Sequence, residues 1–151
     1  MKILGIRTAP KQIRYSLVEG NGNAWTLLNK SCENLIRMPA TLTECGDQLR
    51  WWRDELHRVL RQNSGIEKIG LKTAEFRGAD TLANRHGSYF DAMVLLVAAE
   101  TGIPAIPRLY SQLATKRADV LRHAEARVGR SDSAWNEQMA DAVAVAWVIG
   151  Q

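Results

Sequence analysis

Three carboxylates in this chain are spaced so that they could share a metal ion. Glu137 precedes Asp141 by four residues on one face of a predicted C-terminal helix, and Glu75 follows a predicted strand. Mg²⁺ prefers oxygen ligands, so Glu75, Glu137 and Asp141 together could build a one-metal catalytic site. The alternative is that they are three surface acids with no shared role.

Basic side chains form a second candidate group. Six cations lie between residues 108 and 130, with only Asp119 and Glu125 as acids: Arg108, Lys116, Arg117, Arg122, Arg127 and Arg130. A basic helix can contact a nucleic-acid backbone, with an affinity that falls as salt rises. We therefore take five residues as candidate phosphate contacts: Lys11, Arg108, Lys116, Arg117 and Arg122. A merely solvated basic face is the alternative.

Composition is that of an ordinary globular protein. Hydrophobic residues make up 46% and charged residues 24% of 151 residues, which predicts a single domain over 1–151. No apolar run approaches the roughly 20 residues of a membrane span, and no signal-peptide pattern is present, so we expect no membrane partner. Cys32 and Cys45 suit neither a disulfide frame nor a zinc site, which favours the cytoplasm. The net charge of +4 permits a polyanionic partner.

Apolar patterning predicts a mixed five-stranded sheet within an α/β fold. Three strands joined by short connections should form an antiparallel meander, and two later strands, each preceded by a helix, should be parallel. The predicted strands are the segment within residues 1–11, Ile13–Glu19, Ala24–Asn29, Ile66–Thr73 and Ile103–Pro107.

Capping signals and periodicity predict four helices. Thr41-Leu42-Thr43-Glu44 has the spacing of a capping box, so the first helix should begin there and end before residues 63–65. A loop at residues 77–80 should lead to a second helix over 84–100, closed by Gly102. Two further helices are predicted over 110–128 and 134–149, the last capped by Asp132 or Ser133.

Three short stretches carry a resemblance to a known family. They are Ile3-Leu4-Gly5-Ile6, Ile69-Gly70-Leu71-Lys72 and the Asp-Ala run of Ala140-Asp141-Ala142-Val143-Ala144-Val145-Ala146. With the order of elements, they resemble the ribonuclease H-like superfamily, and within it the RuvC-type Holliday junction resolvases. The resemblance implies four carboxylates that hold two Mg²⁺ ions, one at the end of the first strand, one at the end of the fourth and two on the last helix.

Only one of those four positions is acidic in this chain. Carried over residue by residue, the resemblance places Arg7, Lys72, Gln138 and Asp141 at them. A guanidinium or ammonium cannot ligate a cation and repels one. We therefore expect a degenerate site without metal or cofactor, in which Asp141 is paired with Arg7 or Lys72.

These patterns together predict a protein that does not catalyse a reaction. It would bind DNA, RNA or a protein partner through the former active-site cleft, with a homodimer left open. A second hypothesis is a Mg²⁺-dependent nuclease that uses the displaced acids Glu75, Glu137 and Asp141. A third is a protein-interaction module without any role in nucleic-acid binding.

Overall fold

Six strands form one sheet in the computed structural model, which describes residues 1–76 and 78–151. They are β1 (Lys2–Ala9), β2 (Gln12–Asn21), β3 (Ala24–Leu27), β4 (Leu35–Arg37), β5 (Lys68–Lys72) and β6 (Ala105–Arg108). The spatial order is β3-β2-β1-β5-β6, with β4 beside the other end of β2. The meander is antiparallel, and β1, β5 and β6 are parallel. The predicted five-strand arrangement is confirmed. β4 is an addition, since three residues are too few for a recognisable alternation.

The described residues form four helices, which cover both faces of the sheet. They are α1 (Cys45–Gln62), α2 (Leu82–Thr101), α3 (Val120–Arg127) and α4 (Glu137–Gly150). The helices α1 and α2 pack on one face, and α4, backed by α3, packs on the other. Each face therefore has its own apolar core.

Helix α1 buries one apolar face but begins later than the capping box implies. Trp52, Leu56 and Val59 are its buried residues. The helix begins at Cys45 because the preceding residues form a turn, held by the Gln48 side chain, which donates to the Leu42 carbonyl at 2.9 Å. The predicted capping box is therefore wrong.

The boundaries of the other helices agree with the predictions at the end of α2 and differ from them in the last two helices. Gly102 ends α2 in the left-handed conformation (φ 70°), as predicted. The predicted helix over 110–128 is wrong: it breaks into 3₁₀ turns at Tyr110–Gln112 and Arg117–Asp119, followed by the short α3. The caps predicted for the last helix are also wrong, because Asn136 accepts from the Met139 amide at 3.0 Å. Of the loop predicted at residues 77–80, residue 77 lies outside the described residues.

A row of small residues lets α4 approach the sheet closely. Gly5 of β1 lies between Gly70 of β5 and Ser16 of β2 in the strand register. A Cβ on Gly5 would overlap the Ala142 carbonyl oxygen, and the Ser16 hydroxyl donates to that same oxygen at 2.9 Å. The small residues therefore fix the position of α4 over β1 and, with it, that of Asp141.

No helix within residues 1–76 and 78–151 is both long and apolar enough to cross a membrane. Cys32 and Cys45 are free thiols, the first exposed and the second half-buried.

Candidate functional site

The site begins as a row of cations across the sheet. Two residues beyond the row of small residues, Arg14, Arg7, Lys72 and Arg108 occupy paired positions on β2, β1, β5 and β6. Directly paired residues on neighbouring strands point to the same face of a sheet. The row lies near the carboxyl ends of the three parallel strands, the edge at which α/β proteins bind ligands.

Asp141 of α4 faces this row and pairs with Arg7. The Arg7 Nε atom lies 3.2 Å from Asp141 Oδ2, although it lacks hydrogen-bond alignment with any of the described residues. The contact is therefore an ion pair in which Arg7 Nε does not form a hydrogen bond. The predicted pairing of Asp141 with Arg7 is present, and it is well shielded: Asp141 is 1% exposed and the Arg7 side chain 20%.

Tyr110 completes the surroundings of Asp141. Its hydroxyl donates to Asp141 Oδ1 at 2.5 Å. Burial, followed by the bond to Asp141, raises the pKa of Tyr110, so the phenol keeps its proton and acts as a donor. Burial also raises the pKa of Asp141, against the opposing effects of Tyr110 and Arg7. Asp141 is thus held by two neighbours that stabilise its charged form.

Lys72 is fully buried and held on several sides. Its Nζ atom donates to the Thr73 carbonyl at 2.7 Å, lies 3.4 Å from Glu75 Oε1 and sits 4.2 Å from the centre of the Tyr110 ring. Burial lowers the pKa of Lys72, and neighbouring Arg7 lowers it further, while Glu75 opposes both. Tyr110 therefore joins Lys72, by a cation–π contact, to the Arg7–Asp141 pair.

Two other predicted site residues on α4, Gln138 and Glu137, bond to residues outside the Arg7–Asp141 pair. Gln138 accepts a hydrogen bond from the Gln12 side chain at 2.7 Å. Glu137 accepts from Arg117 Nε at the same distance, at the mouth of the site.

The residues present do not fit a two-metal centre or the displaced one-metal site. Glu75, Glu137 and Asp141 each contact a different cation: Lys72, Arg117 and Arg7. Among the residues that the structure describes, no group of three His, Cys, Asp or Glu side chains is arranged to hold a metal ion. Arg7 and Lys72, which lie beside Asp141 and Glu75, are cations and cannot supply ligands to a divalent ion.

A cleft of about 650 Å³ opens over these residues. Its walls include Arg7, Lys72 and Tyr110 from the site, with Lys116 and Arg117 from the segment that leads to α3. A neighbouring groove of about 520 Å³ shares Lys116 and continues along α3 to Arg122. The cleft and this groove therefore meet at Thr115 and Lys116.

The predicted phosphate contacts are only partly brought together. Lys116 and Arg117 line the cleft, and Arg122 lines the groove but pairs with Asp119 at 2.8 Å. Arg108 is half-buried beside Lys72 on β6, and Lys11 is exposed in the turn between β1 and β2.

Asp91 is a site neighbour that sequence reasoning missed. It is 8% exposed and accepts from the Thr8 hydroxyl at 2.6 Å and from the Ala74 amide at 3.0 Å. Burial raises its pKa, opposed first by these two hydrogen bonds and then by Arg7 and Lys72. The sequence signal that could have identified Asp91 is that it is an acid within the apolar run of α2. No comparable signal in the sequence indicated that Tyr110 would bond Asp141.

Comparisons with known proteins bear on the fold. No protein-family model matches the chain, and no curated protein matches it significantly. Solved structures do match. RuvC of T. thermophilus in complex with a Holliday junction substrate has a TM-score of 0.80 at 17% identity, covering 98% of this chain and 92% of that chain. This chain has a RuvC-type fold.

Two further structures extend the likeness. The fowlpox virus resolvase in complex with Holliday junction DNA has a TM-score of 0.59 at 11% identity, covering 99% of this chain and 97% of that one. The yeast mitochondrial Holliday junction resolvase Ydc2 has a TM-score of 0.59 at 16% identity, covering 97% and 76%. The RuvC-type, ribonuclease H-like fold inferred from the sequence is therefore confirmed over nearly the whole chain.

Proposed function

We propose that this RuvC-type domain binds nucleic acid in its cleft without cutting it. The observation that carries the proposal is the row of cations at the carboxyl ends of the parallel strands. Arg7 and Lys72 of this row line the cleft, together with Lys116 and Arg117. Fixed cations attract phosphate groups without a divalent ion, whereas hydrolysis of a phosphodiester in a two-metal site needs those ions.

Four-way junction DNA is the proposed ligand. Two proteins of the same fold are recorded in complexes with Holliday junctions. In this chain the cleft and the groove along α3 share Lys116, which supports a continuous basic path for a backbone. We propose that Lys116 and Arg117 are the entry contacts and that the site row lies beneath them.

The proposal is tested by fluorescence anisotropy with a labelled four-way junction, a duplex and a single strand of matched length. Binding should be equal in EDTA and in Mg²⁺ at constant ionic strength, and no strand should be cleaved in either Mg²⁺ or Mn²⁺. Lys116→Glu with Arg117→Glu should weaken binding at least about tenfold and reduce its salt dependence. The charge-matched control is Lys30→Glu with Arg61→Glu, at two exposed positions outside the cleft.

Three outcomes would overturn the proposal. Cleavage that depends on a metal and is lost in Asp141→Ala would make the chain a nuclease. Binding whose affinity does not fall with salt, or whose affinity is unchanged in Lys116→Glu with Arg117→Glu, would show that the basic cleft is not the binding surface. A wild-type protein that binds none of the nucleic acids would leave a protein partner as the alternative.

We also propose that α2 joins two copies of the chain. Leu82, Tyr89 and Leu96 are 69%, 41% and 53% exposed and follow one another at steps of seven residues. Ala92 lies between Tyr89 and Leu96 on the exposed side and Ala99 follows Leu96, so small side chains flank Leu96 and leave room for a large side chain of a second copy. Leu96→Glu should halve the mass measured by light scattering. Leu121→Glu, on the exposed side of α3, should not change it.

A further inference from the structure

Arg14 is a buried cation without a partner. It lies on β2 directly opposite Arg7 and is 5% exposed. Its Nε and Nη1 atoms have no hydrogen-bond partner, and no acid forms an ion pair with it, among residues 1–76 and 78–151. A guanidinium keeps its charge at any pH a protein meets, so burial without an anion is costly.

The nearest charge from the sheet edge makes the imbalance worse. Arg37 of β4 pairs with Gln12, two residues from the Leu35 position that pairs with Arg14, so both arginines lie on the same face in diagonal positions. Arg37 is exposed. Burial lowers the pKa of Arg14, and the charge of Arg37 lowers it further. We call these two residues the Arg14–Arg37 pair.

The surrounding contacts do not neutralise this pair. The Asp141 carboxylate is already held by Arg7 and Tyr110. Gln12, beside Arg37, uses its amide to bond Gln138. Like charges on neighbouring strands destabilise a sheet unless an anion lies between them, and the planar fork of a guanidinium matches phosphate in two-point contacts.

We propose that the Arg14–Arg37 pair binds a backbone phosphate of the nucleic acid whose neighbouring phosphate meets Arg7. This inference rests on the proposed function and adds a second contact point beyond the cleft. Arg37 is exposed on the edge strand β4 and Arg14 is buried beside it, so a backbone that passes this edge meets Arg37 directly, and the charge of Arg14 adds to the attraction. The contact would be independent of metal ions, because both ligands are cations.

Thermal unfolding in phosphate and in chloride of equal ionic strength tests whether Arg14 binds an oxyanion. Wild-type protein should gain thermal stability in phosphate over chloride, by linkage to the bound anion. Arg14→Met should gain less in phosphate than wild type and, in chloride, should unfold at no lower a temperature than the wild type, because an uncompensated buried charge is removed. The control is Arg61→Met, at an exposed position of α1 on the other side of the sheet, which measures the gain that phosphate gives without binding. A phosphate gain in Arg14→Met as large as that in Arg61→Met would overturn the site.

The salt dependence of junction binding identifies the source of the phosphate. The logarithm of the binding constant falls linearly with the logarithm of the salt concentration. Loss of one phosphate contact should make this slope shallower by about 0.9 on duplex DNA. We expect this decrease for Arg14→Met and for Arg37→Met, and no change for Arg61→Met. Arg37 is exposed, so Arg37→Met should fold even if Arg14→Met does not, and its slope then tests the inference.

The outcomes separate this inference from the proposed function. If the variant Lys116→Glu with Arg117→Glu weakens binding while Arg14→Met and Arg37→Met keep the wild-type slope, the pair is not a nucleic-acid contact, and the cleft proposal stands. If wild-type protein binds no nucleic acid but still shows the Arg14-dependent phosphate gain, the ligand is a free anion or an acidic group, and the inferred source is wrong.

Discussion

Replacing Arg7 with methionine should lower the free energy of unfolding by about 3 kcal/mol. Coulomb's law at an effective dielectric constant of about 20 gives about 5 kcal/mol of attraction at the 3.2 Å separation from Asp141. Desolvation of the two groups offsets part of this attraction, and breaking a buried pair costs about 3–5 kcal/mol in total. The lower end applies here, because Tyr110 and Lys72 still stabilise the charge on Asp141.

A double-mutant cycle isolates the pair from these neighbours. It combines Arg7→Met with Asp141→Asn, measured by urea unfolding and followed by the fluorescence of the five tryptophans. We expect a coupling free energy of about 2 kcal/mol, since the double variant removes both charges of the pair and leaves neither of them buried alone. Arg7→Asp should destabilise more than Arg7→Met, because two carboxylates would then face each other.

An exposed pair provides the matched control. Arg50 and Asp47 lie 2.8 Å apart on α1, with side chains 73% and 51% exposed. Their coupling should be about 0.3–0.5 kcal/mol, the usual value for such helix pairs. A coupling between Arg7 and Asp141 no larger than this control would refute the view that their ion pair helps to hold α4 against β1.

Three further predictions concern the same sheet edge. Asp91→Asn should become more stable relative to wild type as the pH rises through 3.8, because the raised pKa of Asp91 makes folding take up a proton; urea unfolding at several pH values measures this. Arg7→Asp with Lys72→Glu and Gln138→Asp should be unstable in EDTA and regain thermal stability in Mn²⁺. Gly5→Ala should lower the free energy of unfolding by about 3 kcal/mol, because its Cβ would overlap α4.

Matched variants decide these outcomes. A difference between Asp91→Asn and wild type that does not change with pH would mean that burial of Asp91 does not affect its proton binding. Gly46→Ala meets no atom within 4 Å and should cost little; an equal cost for Gly5→Ala would contradict the close approach of α4. Absence of Mn²⁺ stabilisation in the triple variant would mean that the four positions do not share a metal site.

Local patterns in the sequence were enough to predict most of the framework. The stripe of Trp52, Leu56 and Val59 follows the period of a helix, because one face of α1 is buried. β1 and most of β2 are instead buried almost continuously, because helices cover both faces of the sheet. The segment 110–128 was mispredicted because helix propensity and basic charge do not show where Leu113 and Val120 must be buried.

The candidate site divides in the same way. The sequence by itself determined that cations occupy the ends of β1 and β5 and that Asp141 lies on the last helix, because those facts depend on residue type and element order. Only the tertiary structure decided that Arg7 meets Asp141, that Tyr110 joins this pair to Lys72, and that Arg14 is left without a partner. These partnerships depend on strand register and on how closely α4 lies over Gly5, which bring together side chains from distant parts of the chain.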